Sequence, residues 1–304
     1  MDTDLAILGG GPAGLTAGMY AARARIRVAL LEKGQPGGQI AATEIVDNYP
    51  GFEEPILGWE LAQKMEAHAR KFGLEVVPVD VTRVSVAEGG FQLTLDSGET
   101  YTCRALILAT GASPVKLGIP GELQLVGRGV SYCAVCDGPF FRDQEIAVVG
   151  GGDSAVEEAL YLTRFASKVH LIHRRDELRA IKDIQEKAFA EPRIQIHWNH
   201  VPVAVVGNKE VESLVIRSVI NGSEQILRVS GVFFYVGLRP NSESFRDLVR
   251  TDEWGFVVTD AQMACSVPGI FAAGDIRSKM LRQIATAVGE GALAAYSAQH
   301  YLEG

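Results

Sequence analysis

The pattern that most restricts this chain is a strand, glycine-rich turn and helix that occurs twice. Residues 4–9 (DLAILG) form an apolar run, residues 12–24 carry apolar side chains at helical spacing, and residues 27–32 (RVALLE) form a second run. Together they predict one βαβ unit. The same grammar returns near residue 145, where EIAVVGGG reads as strand and turn, DSAVEEALYLTRFA as a helix and KVHLIHRR as the next strand. A turn of this kind offers backbone amides to a phosphate, so two copies imply two nucleotide sites.

Between the copies, FQLTLDSGETYTCRALILATGA alternates and then becomes continuously apolar, as expected of an antiparallel hairpin feeding a buried strand that ends at Thr110 and Gly111. The segment ASPVKLGIPGE is rich in Pro and Gly, and a matching break occurs at YVGLRPNS. A further strand-loop-helix signal follows the second break. The middle segment is therefore predicted to be inserted into the first domain, giving residues 1–112 with 242–304 as one discontinuous domain and residues 113–241 as the other. The fold class expected is α/β, with two Rossmann-like domains of the three-layer ββα type. A chain of 304 residues is long enough for two cores.

The two turns differ where a nucleotide ribose would lie. Gly9, Gly11 and Gly14, with Pro12 and Ala13 between them, open the first helix, and Glu32 ends the following strand. A carboxylate there holds ribose hydroxyls and repels a 2′-phosphate, so this site suits FAD or NAD. Gly150, Gly152 and Ala155, with Asp153 and Ser154, open the second helix, but the next strand ends in His173, Arg174 and Arg175, with Arg179 expected one helical turn further on. Paired guanidiniums bind phosphate oxygens bidentately, which is what a 2′-phosphate requires, and NADPH is the inference.

Cys133 and Cys136 form a C-x-x-C pair just before the second turn. At that spacing the sulfurs can close a small-loop disulfide, and a nearby helix start would stabilise a thiolate. The remaining cysteines, Cys103 and Cys265, stand alone, so no second ligand pair supports a zinc site, and no metal is expected. Asp137 follows Cys136 directly and can donate a proton to a departing thiolate. The net charge of −8 disfavours nucleic acid, no tract is apolar enough to span a bilayer, and the first residues run straight into a strand without an export signal, which predicts a cytoplasmic protein.

VSYCAVCDG, GGGDSAVEEAL, HRRDELRA and the tail AAGDIRSKMLRQIATAVGEGALAA, in this order along nearly the whole chain, resemble the low-molecular-weight thioredoxin reductases. The resemblance implies a FAD domain interrupted by an NADPH domain that carries the sulfur pair. It implies flavin contacts for Gln39, Asn48, Arg282 and Gln283, and Asp275 at the ribityl or pyrophosphate region. Lys33, Gly38, Val81, Thr110, Gly111, Gly274 and Ile284 complete the expected FAD set. Ala-Val between the cysteines departs from the Ala-Thr more usual in that family. This leaves the sulfur spacing intact and bears on redox potential.

The expected route runs from NADPH through the flavin to Cys133/Cys136 and then to a thioredoxin-like protein, with Cys136 nearer the flavin by resemblance. Nicotinamide and disulfide belong to one inserted domain and need the same flavin ring. Rotation about the crossings near 111–116 and 237–243 is therefore expected. The partner is expected to dock near Arg128, Phe140 and Phe141. The C-terminal helix, with its small residues, fits either a homodimer contact or core packing. A ferredoxin-type NADP reductase would use the same nucleotide folds without the sulfur pair.

Overall fold

The computed structural model describes residues 1–43 and 45–304. The chain divides into two compact units, Met1–Ser113 with Arg239–Gly304, and Pro114–Leu238.

The first unit is built on a sheet whose strands run in the order Glu75–Val77, Val28–Leu31, Thr3–Leu8 and Thr100–Leu108, all parallel, with Ile270–Ala272 also parallel to Thr100–Leu108. From Thr100–Leu108 the sheet continues antiparallel through Gly90–Leu95 to Val81–Ala87. The central strand has neighbours on both sides and is covered on both faces, which explains its unbroken apolar run; Leu5, Ala6 and Ile7 are fully buried. Ile7, Leu15, Leu30 and Ala294 belong to one core, and Leu8, Leu93, Leu106 and Phe245 to the other. Helix α1 (Pro12–Arg23) begins with proline at a position whose N–H would have no helical partner. Helix α2 (Gly58–Lys71) packs beside it.

The second unit has a parallel sheet in the order Val130–Ser131, Gly231–Tyr235, Glu145–Gly150, Lys168–His173, Ile194–Trp198. An antiparallel meander, His200–Val206, Ser213–Ser218 and Glu224–Arg228, supplies its other layer. Its helices are α3 (Ala134–Asp137), α4 (Asp153–Leu162) and α5 (Lys182–Ala190). The helical turn expected to carry Arg179 does not form: α5 starts only at Lys182. The preceding segment is instead tied across the glycine turn, with Arg179 N–H donating to Gly151 O at 2.7 Å and Ile181 N–H to Asp153 Oδ1 at 2.8 Å. Those two donors are thereby unavailable to a local helix.

Helix α6 (Ile284–Glu303) returns to the first unit. Its small residues form a seam against α1: Ala287, Ala294, Ala295 and Ala298 are buried in that core, and a Cβ on Gly291 would stand 2.2 Å from the Ala13 carbonyl oxygen. The small-residue stripe is thus used within the unit. Among the described residues no helix is long and apolar enough to cross a membrane.

A chain of imidazoles lies between the strands of the second unit. His170 Nδ1 and His197 Nε2 are 2.9 Å apart, and His170 Nε2 is 3.0 Å from Glu145 Oε2. One ring must donate and the other accept, so protonating both would set two N–H groups against each other. Burial chiefly, then the neighbouring His170 and His200, push His197 down to about 4. An unfolded histidine titrates near 6.5, so between that value and about 4 the unfolded state holds the extra proton. The stabilisation is complete above 6.5 and is lost as pH falls through this window, by at most about 3 kcal/mol. Urea unfolding at pH 7 and pH 4.5 is expected to show a smaller acid loss in His197→Gln than in wild type, and equal losses would refute the assignment.

Candidate functional site

The first glycine turn joins Thr3–Leu8 to α1, and each glycine has its own steric reason. Gly9 has φ of +101°, and a Cβ there would stand 2.5 Å from the Ala109 carbonyl oxygen. A Cβ on Gly14 would stand 1.9 Å from the Gly9 carbonyl oxygen, so the helix can approach its strand only without a side chain. Gly11 is different, because a Cβ there meets nothing within 4 Å. The chain keeps that position bare although nothing of its own fills the space, as close approach by a pyrophosphate requires. Glu32 is held at this turn by Gly10 N–H on Oε2 at 2.6 Å and Gly34 N–H on Oε1 at 2.8 Å. Its remaining lone pairs suit ribose hydroxyls. Lys33 extends to Asp80 at 3.8 Å, and Val81 opens the strand that follows.

Elements far apart in sequence complete this site. Gly38 begins the short helix Gly38–Ala42, which carries Gln39, whose amide donates to the Ala112 carbonyl. Asn48 Nδ2 donates to Gln283 Oε1 at 3.1 Å, joining positions 235 residues apart. Gln283 caps α6, whose first residue Ile284 packs against the cluster of Ile40, Val46 and Leu61. Thr110 and Asn241 exchange hydrogen bonds of 2.7 and 2.8 Å beside Gly111, which has φ of +69°. The buried strand itself ends at Leu108, two residues before the expected Thr110, because these side-chain bonds replace the ladder.

Gly274 adopts φ of +82°, and a Cβ there would stand 2.9 Å from that of Ala13. Asp275 follows, with Oδ1 buried and without a hydrogen bond, although Lys279 Nζ lies 3.3 Å away as an ion-pair partner. Burial pushes its carboxyl upward, opposed mainly by Lys279. A buried acceptor with spare capacity fits a ligand hydroxyl. Three residues that sequence reasoning missed hold this turn: Glu290 accepts from Gly274 N–H at 2.8 Å and pairs with Arg277 at 2.9 Å and with Lys279 at 3.3 Å. An acid in the middle of a largely apolar helix was the only signal. Arg282 donates to the carbonyls of Lys279 and Arg277 at 3.1 and 3.2 Å and stacks 4.2 Å from the Phe256 ring centre. Its donors therefore organise the turn itself.

The second turn repeats the first turn's steric logic. A Cβ on Gly150 would stand 2.5 Å from that of Ala155, whereas Gly152 again faces open space. Asp153 and Ser154 start α4. His173 is buried, with Nδ1 3.0 Å from Gly150 O, and burial pushes its pKa down, so a neutral ring braces the turn. Arg174, Arg175 and Arg179 are exposed, and no ion pair engages them among the described residues. The residues of both turns fit the groups they are expected to hold.

Cys133 and Cys136 form a disulfide with a Cα–Cα distance of 5.3 Å. Cys133 caps α3, and its Sγ accepts the Cys136 N–H at 3.2 Å, while its own N–H donates to Ser131 Oγ at 3.0 Å. Asp137 N–H donates to Cys133 O at 3.1 Å, so the acid sits on the same turn as both sulfurs. Burial pushes the thiols of Cys103 and Cys265 up to about 12, which leaves neither available as a thiolate. Phe140 is exposed, whereas Phe141 is partly buried and packs edge-on against Phe233 with ring centres 5.3 Å apart, so the first of that pair offers more of its ring to a partner. Arg128 is exposed and turns back to the Gln124 carbonyl.

The steric logic of the first turn yields a contrast. Gly14→Ala is expected to disrupt folding, because the 1.9 Å approach to Gly9 cannot be relieved by moving a flexible side chain. Gly11→Val is expected to leave the apoprotein's thermal unfolding within a few degrees of wild type while flavin retention after gel filtration falls at least about tenfold. Retained flavin in Gly11→Val would remove that turn from the site.

A family model described as pyridine nucleotide-disulphide oxidoreductase matches residues 3–291. A thioredoxin reductase of Listeria innocua is 50% identical over 301 residues, spanning 99% of this chain and 94% of its own. One from Bacillus subtilis is 49% identical over 301 residues, with 99% and 95% covered. The crystal structure of thioredoxin reductase from Streptococcus pyogenes matches with a TM-score of 0.93 and 47% identity, covering 99% of this chain and 98% of that one.

Proposed function

The chain belongs to the pyridine nucleotide-disulphide oxidoreductases and, among them, to the thioredoxin reductases, and from that premise we propose which residues carry each part of the reaction. It is an NADPH-dependent thioredoxin-disulfide reductase that uses FAD and the Cys133/Cys136 pair, and its substrate is a thioredoxin. When bound, NADPH supplies an electron pair that FAD relays to sulfur.

In this reading the unit Met1–Ser113 with Arg239–Gly304 holds FAD, and Pro114–Leu238 holds NADPH. Gly9, Gly11 and Gly14 admit the pyrophosphate, Glu32 takes ribose hydroxyls, and Asp275, whose Oδ1 accepts no hydrogen bond and has Lys279 alone as an ion-pair partner among the described residues, offers that oxygen to the polar chain between pyrophosphate and ring. Gln39, Asn48 and Gln283 line the flavin. Gly150, Gly152 and Ala155 admit the second pyrophosphate, and Arg174, Arg175 and Arg179 take the 2′-phosphate. Opening the disulfide consumes two electrons and leaves one sulfur in need of a proton, which Asp137 supplies from its place beside Cys136. The resulting dithiol then exchanges with the disulfide of the partner.

The observation that supports this reading most is the sulfur pair itself, closed as a disulfide with the Cys136 amide on Cys133 Sγ, in the unit that carries the arginine-flanked turn. The test is anaerobic addition of NADPH followed by thioredoxin. Opening of one disulfide per chain and subsequent reduction of the partner are expected. A flavin-loaded protein whose sulfur bond stays closed would refute the reading.

A homodimer and a cytoplasmic setting belong to the same proposal. Leu293 and Tyr296 lie exposed on α6, away from its seam with α1, and give a dimer contact apolar area. A monomer in sedimentation equilibrium would remove the dimer.

A further inference from the structure

Tyr235 has no part in the scheme above, yet it touches the redox turn. It ends the strand Gly231–Tyr235, where its backbone pairs with Gly150, and a Cβ on Gly150 would stand 2.6 Å from its carbonyl oxygen. The strand end is therefore locked in register beside the nucleotide turn. From there the phenol oxygen accepts the Ala134 N–H at 2.5 Å. Ala134 is fully buried and directly follows Cys133.

Which amide is held decides what the bond does. Cys133 stands at the cap of α3 and its Sγ accepts from Cys136, three residues on. A capping side chain reaches the N–H of the second or third residue after it, and not that of the first. The Ala134 N–H is thus the donor that the Cys133 sulfur cannot use, and without the phenol it would be buried and unpaired. Holding it fixes the path of the turn between the two cysteines, and that path is what aims the Cys136 N–H at Cys133.

We infer that Tyr235 is a positioning residue for the redox pair: by holding the Ala134 N–H it keeps the Cys136 N–H on Cys133, and so stabilises a thiolate at Cys133 and with it the dithiol form. The inference rests on the thioredoxin reductase reading. Two electrons from the reduced flavin break the S–S bond, one sulfur takes a proton, and the other is left as thiolate. Whatever lowers the free energy of that thiolate therefore favours the reduced pair. The carboxyls that act on the phenol are Glu158 of α4 and Asp137 of α3; burial first, and then these charges, keep the phenol protonated as a neutral acceptor. Glu158 is itself pushed up to about 7 by burial and by Glu157, so wild type and variants share an ionisation there, and the tyrosine's effect is read as the difference between them.

The test uses the full-length, FAD-loaded protein reduced anaerobically with dithiothreitol. Iodoacetamide labelling of Cys133 is followed against pH by peptide mass spectrometry, and the dithiol–disulfide equilibrium is measured against glutathione. Tyr235→Phe keeps the ring and removes the oxygen. It is expected to lower the Cys133 thiolate fraction at neutral pH roughly fivefold and to make the pair harder to reduce by a similar factor. Tyr235→Ala is expected to shift both in the same direction at least as far. Unchanged or increased thiolate in Tyr235→Phe overturns the inference, as does a shift seen only in Tyr235→Ala, which would assign the effect to ring packing. The two readings fail separately: a wild-type disulfide that equilibrates with glutathione but is never opened by NADPH defeats the reductase assignment and leaves the role of Tyr235 standing.

Discussion

Cys133→Ser and Cys136→Ser are each expected to lower NADPH-dependent thioredoxin reduction by at least about a thousandfold, equivalent to about 4 kcal/mol of barrier, while NADPH still bleaches the flavin absorbance. A hydroxyl cannot form the sulfur–sulfur bond that stores the electron pair, so either change severs the route after the flavin. Unfolding does not account for such a loss. The loop closed by a sequence separation of 3 is so short that opening it costs the fold at most about 2 kcal/mol, and both side chains are only partly buried. Anaerobic stopped-flow absorbance separates the half-reactions. Turnover kept at the wild-type rate with the physiological acceptor would mean that electrons leave the flavin directly, as in a ferredoxin-type reductase.

The parts of the site legible in the sequence are those whose chemistry is local. Gly9, Gly11 and Gly14 lie within six positions, as Gly150, Gly152 and Ala155 do, and each spacing is imposed by one turn of backbone against one helix. The sulfur pair is similar, since C-x-x-C and the capped turn of α3 occupy the same few residues. What lay hidden depends on chain return. The Asn48–Gln283 hydrogen bond spans 235 residues. Glu290 meets Gly274 and Lys279 only because α6 folds back across α1, and an acid within an apolar helix does not by itself name those partners. Tyr235 opens the segment YVGLRPNS, which the sequence marks only as a break, and its role follows from where the strand Gly231–Tyr235 ends beside Gly150. The segment after Arg175 misled for the opposite reason: its composition favours a helix, but Gly151 O and Asp153 draw its N–H groups across the nucleotide turn. Hydrophobic periodicity carries information about faces and none about such distant partners.

Replacing Arg174 and Arg175 together with alanine is expected to raise the KM for NADPH about a hundredfold and to change that for NADH less than about threefold. Several arginines elsewhere in the chain are already engaged by acids. Arg70, Arg193, Arg217 and Arg277 each hold a carboxylate, at 2.8, 2.8, 2.8 and 2.9 Å, in a chain whose net charge is −8. With acids in excess, cations that follow the strand Lys168–His173 and engage none are available to a ligand, and a 2′-phosphate offers the oxygens that a guanidinium matches. Two charge-assisted hydrogen bonds at about 1.5 kcal/mol each account for the hundredfold. Both side chains are exposed, so their loss should leave stability within about 0.5 kcal/mol. Added salt gives an independent signature, because screening weakens an exposed phosphate contact: the KM for NADPH in wild type should rise with ionic strength more steeply than in the double variant. If the double variant loses NADH and NADPH equally, these arginines shape the turn without reading the phosphate, and the choice of coenzyme must be made elsewhere.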